Sequence, residues 1–143
     1  MLTDMLAREP ESDAPPVASR TSPKPPLAFA CAGCSAAGRM AYDLALELDR
    51  LGEVEMSCLA GIGARHPRFL SLLPGRRVLV IDGCRTDCAR GLFNQAGLVG
   101  HLQWHVCLAD FGIGAQPATS GAVDIGALAE RVLWSLYGDW GCG

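Results

Sequence analysis

Arg77-Val78-Leu79-Val80-Ile81-Asp82-Gly83-Cys84 is the stretch on which the fold turns. Val78–Ile81 is a run of four branched apolar residues with no polar position to form a wet face. A strand of this kind is covered on both sides, as the central strands of a parallel sheet are. Asp82-Gly83 ends the run, and a helix is predicted from about Asp87 to Gln95, stopped by Gly97.

Working outward, the same pattern recurs. Leu27-Ala28-Phe29-Ala30 is a second short apolar run, ending at Cys31. Ser35 is suited to cap a helix running to about Leu51, with Met40, Leu44, Leu48 and Leu51 on one stripe and Gly52 as the stop. Val54–Leu59 reads as a strand from the alternation of Val54, Met56 and Cys58, and Gly61-Ile62-Gly63 reads as a turn. Pro67 opens a short helix through Leu73, closed by Pro74-Gly75. Leu102–Ala109 alternates, with Leu102, Trp104, Val106 and Leu108 on one face and Gln103, His105 and Cys107 on the other, which marks an edge strand. Gly112 to Gly121 is a loop, and a last helix from Asp124 carries Ile125, Leu128, Val132 and Leu136 on one stripe. Strands alternating with helices predict a single three-layer α/β domain, Rossmann-like. Its sheet has about four mostly parallel strands, with helices on both faces.

Composition bounds the function. The 143 residues are 50% hydrophobic and 19% charged, with a formal net charge of -3. All but one of the 12 basic residues are Arg, and they are scattered, so no basic patch marks a nucleic-acid binder. No stretch of about 20 continuously apolar residues is present, as a membrane span requires. Residues 1–26 hold six prolines and Asp4, Glu9, Glu11 and Asp13, with no apolar core of a secretory signal. They are expected to form a disordered Pro-rich tail, ahead of a cysteine-rich domain at 27–114 and a loop and helix at 115–143 that pack on it. A cytoplasmic location is expected.

Seven cysteines are the anomaly in this composition. A reducing compartment disfavours a disulfide framework and favours metal or thiol chemistry. Cys31 and Cys34 follow the first strand, Cys58 lies near the end of the second, and Cys84 and Cys88 follow the third. Five of the seven are thereby predicted at one edge of one sheet, where α/β folds bind ligands. Cys31-x-x-Cys34 and Cys84-x-x-x-Cys88 each put two sulfurs within a turn, and two such pairs can make a tetrahedral thiolate site. Helix N-termini after both pairs would offset negative charge, with Arg39 and Arg85 as further candidates. The same setting lowers thiol pKa values and suits redox or nucleophilic chemistry. Cys107 and Cys142 read as ordinary apolar fillers. His101 and His105 are about 13 Å apart along a strand and cannot share an ion, and His66 reads as a solvated turn residue. Asp82 and Ser35 are candidates to support the site, as an acceptor orienting it and as a cap. Gly61-Ile62-Gly63 lacks the rest of a dinucleotide fingerprint, and no Walker motif is present.

Cys31-Ala32-Gly33-Cys34-Ser35, Met56-Ser57-Cys58-Leu59-Ala60-Gly61-Ile62-Gly63 and Ile81-Asp82-Gly83-Cys84 with Cys88 together resemble the DGC-domain family, named for its central Asp-Gly-Cys motif. The resemblance covers about residues 27–114, including the Asp110–Gly112 stretch. It implies zinc binding through Cys31, Cys34, Cys84 and Cys88, with Cys58 as a fifth candidate, and leaves the choice of four open. Two alternatives stay open beside Zn²⁺. One is a thiol redox or sulfur-transfer enzyme using Cys31 and Cys34; the other is an iron–sulfur cluster on four thiolates. The only partner expected from the sequence is a metal ion.

Overall fold

The computed structural model describes residues 24–114 and 123–141, with side chains through residue 136. Most of the predicted tail, much of the loop before the last helix, and Cys142 fall outside this range. Four strands form one parallel sheet: β1 (Leu27–Ala30), β2 (Glu55–Met56), β3 (Val78–Asp82) and β4 (Leu102–Cys107), in the order β2-β1-β3-β4. Five α-helices accompany them among the described residues: α1 (Ala36–Arg50), α2 (Leu59–Gly63), α3 (Pro67–Leu70), α4 (Cys88–Gln95) and α5 (Ile125–Gly141). Turns of 3-10 helix flank β4 at Val99–His101 and Leu108–Phe111.

The unbroken apolar runs of β1 and β3 are buried throughout because each face of the sheet has its own cover. Ala28, Ala30, Leu79 and Ile81 point to one face, against Leu44 and Leu48 of α1 and Leu128, Val132 and Leu136 of α5. Leu27, Phe29, Val78 and Val80 point to the other, against Ile62 of α2, Leu73, and Ala89 and Phe93 of α4. The rings of Phe29 and Phe93 meet edge to face, with centroids 5.0 Å apart. β1 and β3 run in register from Leu27 opposite Val78 to Ala30 opposite Ile81. Between β3 and β4 the register slips once, so that Val78 faces Leu102 but Leu79 faces Trp104.

Several local expectations are corrected. Gly61-Ile62-Gly63 is part of α2, not a turn, because Cys58 caps the helix: its sulfur accepts from the Gly61 N–H. That helix cuts β2 to two residues. α3 ends at Leu70 rather than Leu73. β4 stops at Cys107, and Leu108 and Ala109 enter the 3-10 turn. Leu51 is exposed, since α1 buries a face made of Ala37, Gly38, Ala41, Leu44, Ala45 and Leu48. β4 is an edge strand, yet its second face is not uniformly wet, for Cys107 is buried. Residues 24–26 are tied to the domain. The Pro26 carbonyl accepts from the Glu55 N–H, and the carbonyls of Pro25 and Lys24 accept from Arg76 and Arg77. Among the described residues no helix is long and apolar enough to cross a membrane.

Candidate metal centre

The strand order places a topological switch between β1 and β3: the chain leaves β1 toward β2 on one side and continues through β3 to β4 on the other. In open parallel sheets the crevice at such a point, beyond the carboxyl ends of the strands, is the usual ligand site. Cys31 follows β1 directly, and its N–H donates to the Ile81 carbonyl of β3. Cys34 lies one residue before Ser35, whose hydroxyl accepts from the Gly38 N–H and caps α1. Cys84 follows β3 by two residues, and Cys88 is the first residue of α4. Both cysteine pairs thus sit beside a helix N-terminus at the switch point, with the positive dipole ends of α1 and α4 nearby.

Gly83 explains how closely the two loops approach. A Cβ there would lie within 2.5 Å of the Gly38 nitrogen and closer still to the Ala37 carbonyl. Only a glycine lets the loop after β3 rest on the first turn of α1. Asp82 is the buried polar side chain of the region, 1% exposed. Its Oδ1 accepts from the Ala89 N–H at 2.8 Å, and its Oδ2 from the Arg90 N–H at 3.1 Å. Asp82 therefore does the capping of α4, while Asp87, at the N-cap position itself, makes no capping bond. Asp82 Oδ2 also lies 2.9 Å from His105 Nε2 of β4.

Four of the five predicted sulfurs share one electrostatic neighbourhood. Desolvation raises the Cys88 thiol above its usual range, and the like charges of Cys31, Asp82, Cys84 and Cys34 push it the same way. This corrects, for Cys88, the expectation that its helix N-terminus lowers the thiol. Cys34 and Cys88 are exposed; Cys31 and Cys84 are half-buried. No three of the sulfurs come within 4.8 Å of one another among the described residues. Cys58 is engaged elsewhere, capping α2. Cys107 ends β4 directly opposite Asp82, so it is nearer the site than its edge strand implied, and burial pushes its thiol up. All six described cysteines are free thiols. Of the basic candidates, Arg39 pairs with Asp43 and Arg85 with Asp110 at 3.1 Å, so both already face carboxylates.

Sequence reasoning set aside the histidines and passed over Asp87. Yet Asp82, Asp87 and His105 each offer a ligand atom, and the three atoms lie within 4.8 Å of one another. The loop before α4 brings Asp87 back toward β4, and no spacing along the chain marks that return. Alternation along β4 did place His105 opposite the Trp104 face, which was the one available signal.

The fold and the cysteine-bearing switch point define a small parallel α/β protein with a thiol-rich edge. The chain belongs to the DGC domain family, whose model matches residues 27–133 and so reaches past the motif-bearing loops into α5. It is also 40% identical over 89 residues to the anaerobic and virulence modulator AnvM of Pseudomonas aeruginosa. That match covers 62% of this chain and 66% of the relative, just under two thirds of its length. No solved structure matches the chain.

Proposed function

We propose that this protein binds Zn²⁺ through Cys31, Cys34, Cys84 and Cys88, as a small cytoplasmic metal-thiolate protein. The observation that carries this reading is the placement of both cysteine pairs on adjacent loops at the β1/β3 switch point, each beside a helix N-terminus. The donor set suits the ion: four soft sulfurs match zinc, and the crowding of like charge around Cys88 is what a bound cation relieves. Two helix N-termini offset part of the net charge of a four-thiolate centre. Cys58 is the spare thiol in this reading, because it follows β2, outside the two loops that flank the β1/β3 switch point. Zinc held by four thiolates has no open coordination position, and what it supplies is cross-linking of the two loops rather than Lewis-acid chemistry. The Pseudomonas relative is named a modulator. We extend that role to this chain, with the metal-clamped edge as its working surface.

The test is elemental analysis and an absorption spectrum of full-length protein purified without oxygen. One zinc per chain and no visible absorption are expected. Ser substitution at any of Cys31, Cys34, Cys84 or Cys88 should remove most of the zinc, while Cys58→Ser and Cys107→Ser retain it. Iron with visible absorption would replace zinc by a cluster. Full zinc retention in both Cys31→Ser and Cys84→Ser would defeat the metal reading and favour thiol exchange.

A further inference from the structure

We propose that Asp82, Asp87 and His105 form a second cation site, separate from the thiolates, that takes a divalent ion of the Mn²⁺ or Fe²⁺ type. The three groups come from three elements: the end of β3, the loop before α4, and the middle of β4. Their ligand atoms lie within 4.8 Å of one another, with His105 Nε2 2.9 Å from Asp82 Oδ2 and 3.7 Å from Asp87 Oδ1. Separations of this size suit neighbouring ligands on one ion at about 2.1 Å per bond.

The individual groups are poised for an ion. The Asp87 side chain is 34% exposed, but its Oδ1 is buried and has no hydrogen-bond partner among the described residues. A buried carboxylate oxygen without a donor is costly, and its ordinary task at this position, capping α4, is performed by Asp82 instead. Asp82 is held by two backbone N–H groups that fix its direction and leave lone pairs on Oδ2 to share. His105 is half-buried, and its Nε2 points at both carboxylates. In the cation-free protein Nε2–H donates to Asp82. On loading, the Nε2 proton leaves to solvent while Nδ1 takes one up, so the neutral ring changes tautomer and Nε2 gives its lone pair to the ion.

Donor softness sets the occupant. Two carboxylates and one imidazole accept Mn²⁺ or Fe²⁺, which four thiolates do not favour, so Mn²⁺ reports on this site and not on the thiolates. The three donors here include no cysteine, and this inference does not depend on the preceding one.

The experiment titrates Mn²⁺ into full-length protein and follows free Mn²⁺ by electron paramagnetic resonance. One saturable Mn²⁺ per chain is expected, both in the wild type and in the Cys31→Ser/Cys84→Ser double variant. Asp87→Asn and His105→Gln should each weaken Mn²⁺ binding about tenfold or more. Both changes are conservative, since Asn tolerates the left-handed backbone that Asp87 uses, at φ 53°, and Gln keeps an amide donor at position 105; circular dichroism of each variant should match the wild type. Zinc content, measured on the same samples, should not change in either variant. The inference is overturned if the wild type shows no saturable Mn²⁺, if binding survives both substitutions, or if the cysteine double variant loses it.

Discussion

At the scale of single residues, the Asp-Gly-Cys motif divides into three physical jobs. Asp82 turns a buried charge into the cap of α4, Gly83 yields the space that α1 occupies, and Cys84 presents a sulfur. Gly83→Ala is therefore expected to destabilise the fold by about 1–3 kcal/mol, the usual cost of overpacking, since the clash is with backbone that cannot rotate away. Denaturant melts of the variant and the wild type check this, and an unchanged midpoint would show that the loop has room to move. Asp82→Ala should cost about 1–3 kcal/mol, because the N–H groups of Ala89 and Arg90 lose their acceptor together. Cys107 gives a third outcome. It is buried, and burial pushes its thiol up, so less thiolate is present at any mildly alkaline pH. In native, metal-free protein Cys107 should be alkylated last and the exposed Cys34 among the first. Peptide mapping after timed labelling reads the order, and early modification of Cys107 would contradict its buried placement.

At the scale of elements, β1, β3 and α1 were legible in the sequence because local pattern and global packing agree there. Val78–Ile81 has no polar residue to expose, and the structure covers both its faces. Ser35 caps α1 where the sequence placed the start, and the helix is expected to lose about 1 kcal/mol on Ser35→Ala, measurable as a lower unfolding midpoint. Ser35→Gly should cost only a few tenths, which distinguishes a lost cap from a lost contact. The stretch from Val54 to Gly63 was less legible. Its alternation suits a strand, but the Cys58 sulfur captures the Gly61 N–H and nucleates a helix where two glycines argued for a turn. The placement of Cys31 and Cys84 was legible because each lies within two residues of a strand end, and strand ends in a parallel sheet share an edge. Asp87 and His105 were not, since their meeting depends on the left-handed backbone at Asp87 and on the register of β4 against β3. Neither leaves a trace in residue spacing.

At the scale of the whole molecule, stability rests on two cores, one on each face of the sheet, joined through β1 and β3. Residues 24–26 close the amino end of this sheet, their carbonyls accepting from the Arg76 and Arg77 side chains and from the Glu55 N–H. A chain that starts at Leu27 should therefore be less stable than one that starts at Lys24, by about 0.5–1.5 kcal/mol for each hydrogen bond lost, and melt at a lower temperature. Equal melting temperatures would mean that water replaces those carbonyls at no cost. The opposite end of the sheet carries the cysteine loops. In the proposed zinc form, one ion links the loop after β1 to the loop after β3, the two strands on which both cores depend. An ion bound only by the folded state adds stability that grows with the logarithm of free metal over its dissociation constant. A strong chelator should then lower the melting temperature of the zinc-loaded wild type, by about 2–8 °C for each kcal/mol of binding energy removed. The Cys31→Ser/Cys84→Ser variant should start at the lower temperature and not respond, because the clamp is already absent. Differential scanning calorimetry with and without chelator measures both. An equal response in wild type and variant would place the stabilising ion elsewhere, whereas no response in a zinc-loaded wild type would show that the loops stay closed without it.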